Sequence, residues 1–91
     1  MQYVICYDIA DDARRSRIAN LLLDYGARVQ ESVFVAHLDA ELAGRMRERL
    51  SAAFDPDFDR INVYELCAAC AKREWVLGQA KMVEDQAWYV I

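Results

Sequence analysis

Hydrophobic and polar positions alternate only weakly from residue 2 to residue 9. Tyr3, Ile5, Tyr7 and Ile9 share one face there, and Val4, Cys6 and Asp8 the other. A strand apolar on both faces has to be covered on both. From Asp11 or Asp12 the period becomes helical, with Ile18, Leu21, Leu22 and Tyr25 on one stripe. Asp11 suits the N-cap of this helix, and Gly26 suits its stop.

A second strand pattern runs from Arg28 to Leu38, with Val29, Glu31, Val33 and Val35 on one face and Gln30, Ser32, Phe34 and Ala36 on the other. Asp39 can cap a second helix whose Leu42, Met46, Leu50 and Phe54 recur every four residues. The single proline falls in a turn, Asp55 to Asp59, before a third strand from Arg60 to Cys67. A loop, "AACAKRE", a strand-like stretch from Trp75 to Gly78 and an apolar "WYVI" complete the chain.

These elements predict an α+β, ferredoxin-like fold: a four-stranded antiparallel sheet under two helices. No turn signal divides residues 28–38. The hairpin this order needs is reached in one of two ways. Either the second strand is short and the chain folds back before the second helix, or Val33 to Leu38 is the partner strand. The 91 residues form a single domain, with 1–78 as its core and 79–91 as a C-terminal edge strand. Two helices cover one face of the sheet, so Val4 and Cys6 call for a second cover. A second copy of the chain is the natural one. Asp8 then stands at the rim of a homodimer seam, opposite its own symmetry mate.

Composition narrows the class more than the function. Hydrophobic residues make up 56% and charged residues 29%, which excludes a disordered chain. No apolar run approaches a bilayer span, no basic n-region precedes the first strand, and an odd count of three cysteines argues against a disulfide framework. A cytoplasmic protein without a membrane role is expected. The net charge of -4 argues against wholesale electrostatic binding to nucleic acid. Nine of the eleven cations are nevertheless arginines, seven of them at Arg14, Arg15 and Arg17, at Arg28, and at Arg45, Arg47 and Arg49. Arginine favours bidentate contact with phosphate.

Two Asp8 carboxylates across a twofold axis repel unless a cation or a proton lies between them. Mg²⁺ accepts one or two carboxylates together with waters and phosphate oxygens. The plainer reading is that Asp8 ends a strand while Asp11 and Asp12 cap a helix. Arg15 and Arg17 flank the apolar stripe at the helix start, where cations oppose the dipole. Phosphate contact explains them, and so does neutralisation of neighbouring aspartates. Arg14 falls close to the stripe and has to snorkel. Cys67 and Cys70 have the spacing of half a zinc site or a redox pair, but partners for either are lacking, which favours small apolar filler. His37 has no nucleophile at motif spacing. Trp75, Trp88, Tyr89, Phe34 and Phe58 read as core and interface.

Taken together, Tyr7-Asp8-Ile9, Asp11-Asp12, Arg15-x-Arg17, Tyr25-Gly26 and Gln30-x-Ser32-Val33-Phe34 resemble the small CRISPR-associated adaptation protein of the Cas-two family. "INVYELCAAC" resembles that family's third strand and the cysteine pair after it. The resemblance covers roughly residues 3–78. It implies a ferredoxin-like homodimer whose C-terminal strands exchange between subunits. It also implies Mg²⁺ or Mn²⁺, one per dimer, at the paired Asp8. A metal-dependent endonuclease acting on single-stranded RNA or double-stranded DNA is implied, slow because each chain supplies so few carboxylates. The alternative role is a non-catalytic DNA-binding bridge between dimers of the CRISPR integrase during spacer integration. On this resemblance Asp8 and Tyr7 are catalytic, and Arg14, Arg15, Arg17 and Arg28 contact nucleic acid. Ser32 and Phe34 support the site near the seam.

Overall fold

A computed structural model describes residues 1–73 and Leu77. The element order is β1 (Gln2–Asp8), α1 (Asp12–Leu23), β2 (Gly26–Gln30), β3 (Val33–His37), α2 (Ala40–Ala53), β4 (Arg60–Leu66) and α3 (Ala68–Ala71). The four strands form one sheet in the order β2-β3-β1-β4, and every neighbouring pair is antiparallel. This is the expected ferredoxin-like arrangement, with the most apolar strand, β1, in the interior.

The split of residues 28–38 follows the second of the two alternatives. Val33 begins the partner strand, and only Glu31 and Ser32 lie between β2 and β3. A register shift between Arg28 and Gln30 lets Gln30 face Val33 while Arg28 faces Phe34. The bulge keeps the valines on one face and Phe34 on the other. Gly26 is not the helix stop. Asp24 caps α1, and its amide returns to the Leu21 carbonyl at 3.1 Å. Gly26 already belongs to β2, where a Cβ would meet the Val35 carbonyl oxygen at 2.2 Å. Its lack of a side chain serves strand approach rather than a turn.

Both helices begin as the sequence predicts. The Asp11 carboxylate accepts from the Arg14 amide at 2.8 Å, and the Asp39 carboxylate accepts from the Leu42 amide at 2.8 Å. The main core lies between the sheet and these helices. Ile5, Tyr7 and Phe34 from the strands meet Ile18, Leu22, Met46 and Leu50 from the helices. Burying each of the larger aliphatic chains stabilises the fold by about 1.5–3 kcal/mol. Leu42 is not part of it; it is exposed, and Ala43 takes the inner position. Arg49 of α2 donates to Asp24 at 3.0 Å and to the Tyr25 hydroxyl at 3.2 Å, joining the two helices.

A second, smaller apolar layer lies on the opposite face of the sheet. Val29 and Val35 are buried there, with Val4, Ala27 and Val33 packed against them. No helix among the described residues is long and apolar enough to cross a membrane. "AACAKRE", expected to be a loop, holds the short helix α3. The strand expected at Trp75 to Gly78, the edge strand expected over 79–91, and Trp75, Trp88 and Tyr89 lie outside the described residues. Phe58 is not core: it is 76% exposed on the loop before β4.

Candidate functional site

β1 places successive side chains on opposite faces, so Tyr7 and Asp8 part company at its end. Tyr7 points into the main core and is buried. Its hydroxyl donates to the Glu31 carbonyl oxygen at 3.0 Å and accepts from the Arg28 guanidinium at 3.0 Å. Its amide donates to the Ser32 carbonyl oxygen at 3.1 Å. The ring lies 6.1 Å from that of Phe34, over which the Arg28 guanidinium sits at 5.3 Å. Tyr7, Arg28, Ser32 and Phe34 thus come together as one unit that fixes the β2–β3 turn against the end of β1.

Asp8 is exposed on the other face. Register places Arg60, the first residue of β4, directly opposite it, with Cys6 and Asn62 one step inward. Directly opposed residues share a face of the sheet. No side-chain hydrogen bond or ion pair engages Asp8 or Arg60 among the described residues. Arg60 is the site residue that sequence reading passes over. Its signal is only a register, which needs both strands.

The arginines of α1 divide. Arg15 donates to the Ile9 carbonyl oxygen at 2.9 Å and pairs with Asp12, so it braces the loop through which β1 leaves the sheet. Its side chain stays 43% exposed. Arg14 forks onto Asp59, Nε to Oδ2 at 2.5 Å and Nη2 to Oδ1 at 2.9 Å. The Asp59 carboxylate is fully buried and also accepts from the Asp55 amide at 2.8 Å. The Arg14 guanidinium holds the Asp59 carboxyl below the usual carboxylate range, against the opposing effect of burial, and the Asp55 amide adds to it. The same contact pushes Arg14 upward. Asp59 immediately precedes Arg60, so Arg14 and Arg15 each hold one side of the Asp8–Arg60 rim. Arg17 is exposed and lines a shallow depression with Asn20, Asp24 and Arg49.

A family model described as CRISPR associated protein Cas2 matches residues 1–74. The chain belongs to this family. It is 47% identical over 77 residues to "CRISPR-associated endoribonuclease Cas2 4" of Rhodospirillum rubrum, a match covering 85% of this chain and 62% of that one. The chain therefore spans under two thirds of that relative's length. It is 40% identical over 93 residues to "CRISPR-associated endoribonuclease Cas2 1" of Chloroflexus aurantiacus, with all of both chains covered. Among solved structures it is similar to Streptococcus pyogenes Cas2, with a TM-score of 0.76 and 30% identity over 86% of this chain and 100% of that one. It is also similar to a chain of a partial Cas6-RT-Cas1–Cas2 complex, with a TM-score of 0.65 and 28% identity over 84% and 89% of the two chains. Membership in the Cas2 family gives the resemblance carried by Tyr7-Asp8-Ile9 and Gln30-x-Ser32-Val33-Phe34 its explanation.

As a donor set for a divalent cation, Asp8 is half a site. Among the described residues no three His, Cys, Asp or Glu side chains gather around one point. Mg²⁺ needs only one or two carboxylates when waters and phosphate complete its shell. An exposed carboxylate with no other engagement fits that demand if a second copy supplies the second carboxylate.

Proposed function

We propose that this Cas2 family member is an endonuclease that cleaves phosphodiester bonds of single-stranded RNA or duplex DNA through Asp8, paired across a twofold homodimer. One observation carries the reading: an apolar strand ends in an exposed aspartate that the described residues leave unengaged. The relatives named as endoribonucleases support it. In the dimer, the two Asp8 carboxylates would hold one Mg²⁺ or Mn²⁺, which would supply Lewis-acid stabilisation of the developing phosphoryl charge. Arg60, beside Asp8, offers a guanidinium group to the adjacent phosphate, and Arg17, exposed on the helix layer, offers one to a more distant part of the strand. Arg15 and Arg28 add the exposed parts of their side chains, while Arg14 acts chiefly by keeping Asp59 and Arg60 in place. Tyr7 positions the strand end rather than touching the reacting atoms, since its hydroxyl is held on the opposite face.

A second reading is a non-catalytic bridge that binds duplex DNA between integrase dimers. Two observations favour it: among the described residues Asp8 is the one carboxylate at the strand end, with no group of three metal-ligating side chains around it, where two-metal nucleases gather several, and a structural neighbour comes from a complex containing Cas1. Cleavage of labelled RNA and duplex DNA by the wild type and Asp8→Asn, with Mg²⁺, Mn²⁺ or EDTA, separates the two. The nuclease reading expects cleavage that needs the metal and falls at least about 100-fold in Asp8→Asn. Equal cleavage by both proteins overturns it. Absence of cleavage with duplex binding intact leaves the bridge.

A further inference from the structure

β4 ends at Leu66, Cys67 is the N-cap of α3, and Cys70 stands three residues on in the same turn. Positions so spaced are neighbours at a helix start. Both cysteines are exposed free thiols, whereas Ala71 beside them is buried and anchors the turn. This overturns the expectation of apolar filler: a packing cysteine is buried and inert. Zinc does not account for the pair, because no third His, Cys, Asp or Glu joins them among the described residues and a structural site needs four ligands.

The two thiols are not equivalent. No capping bond of ordinary geometry forms from Cys67. The amide and thiol of Cys70 nevertheless lie near enough to hold the Cys67 thiol below its usual range. The Cys70 thiol is pushed up by its neighbour. Of the two, Cys67 is the thiol held down, and it is the N-cap beside the first-turn amides. An asymmetric exposed pair of this kind has the division of labour of a nucleophile and a resolving thiol.

We propose that Cys67 and Cys70 form a redox-active dithiol that exchanges with low-molecular-weight disulfides, Cys67 attacking and Cys70 resolving. The Cys67 thiolate attacks one sulfur of the disulfide; a mixed disulfide forms and the first small thiolate leaves. Cys70 gives its proton to solvent and attacks Cys67 Sγ, forming the Cys67–Cys70 bond and expelling the second small thiolate. The protein dithiol is oxidised by two electrons and the small disulfide is reduced to two thiols, which take up the two protons the cysteines lost. The exposed Lys72 and Arg73 directly after the pair suit an anionic disulfide, oxidised glutathione being the probe of that class. Cytoplasmic disulfides, where they occur, are transient in this way. The proposal stands apart from the nuclease reading and does not depend on Asp8.

The test equilibrates the full chain in glutathione buffers from reduced to oxidised, quenches by acid and alkylation, and maps thiols by peptide mass spectrometry. The expected result is a Cys67–Cys70 disulfide that forms and reverses within that range, with Cys6 left as a thiol. Cys70→Ser is expected to trap glutathione on Cys67. Cys67→Ser is expected to react more slowly at Cys70, which lacks the amide contacts that hold the Cys67 thiol down. Far-UV circular dichroism of both variants confirms that they fold. A pair that remains dithiol throughout overturns the proposal, as does equal reactivity of the two single variants, or tight zinc binding that blocks oxidation.

Discussion

At the scale of single residues, the sharpest division is between charges that hold the fold and charges left exposed. Asp59 is the clearest of the first kind, buried and held by the Arg14 fork and the Asp55 amide. Its folded-state pKa lies below the unfolded value, so its stabilising effect is complete above the ordinary carboxylate range. That effect fades as pH falls through the folded value. Thermal unfolding of the wild type and Asp59→Asn, followed from neutral pH into acid, should therefore show a shallower acid loss in the variant. At neutral pH the variant should melt lower. Parallel curves would mean that Asp59 does not govern the acid limb. None of this is legible in the sequence, because Arg14 and Asp59 are 45 positions apart. Arg14 read locally is merely a cation near an apolar stripe.

At the scale of elements, the caps and the apolar stripes carry the information, and the β2–β3 hairpin does not. Glu31 and Ser32 make its turn without glycine, asparagine or proline, the residues that ordinarily announce one. What stabilises it is tertiary: Tyr7 bonds to the Glu31 and Ser32 carbonyls from another strand. Gly26 is misread for a related reason. A glycine after a helix has two explanations, and only the nearby Val35 carbonyl decides between them. Because backbone rather than a flexible side chain stands in the way, Gly26→Ala is expected to destabilise the chain by about 1–3 kcal/mol. Urea unfolding measures this, and an unchanged midpoint would show that the β2–β3 approach relaxes at little cost.

At the scale of the whole molecule, the second apolar layer, built on Val29 and Val35, bears on assembly. If a second copy packs there, as the proposed paired Asp8 requires, Val33→Glu should convert a dimer to a monomer. Sedimentation at micromolar concentration would register the change. A dimer that survives the substitution would place the seam elsewhere and separate the two Asp8 residues. A monomeric wild type would remove the shared site altogether.

The sequence by itself determined the fold class, both helix starts and the family. Hydrophobic period, capping chemistry and a spaced motif are local properties, written within a few residues of one another. Tertiary structure alone decided the placement of Arg60 beside Asp8, the assignment of Arg14 to Asp59, the core-facing role of Tyr7 and the exposure of the cysteine pair. Each of these depends on strand register or on contacts between distant segments. The sequence pattern limits such contacts, but packing selects among them.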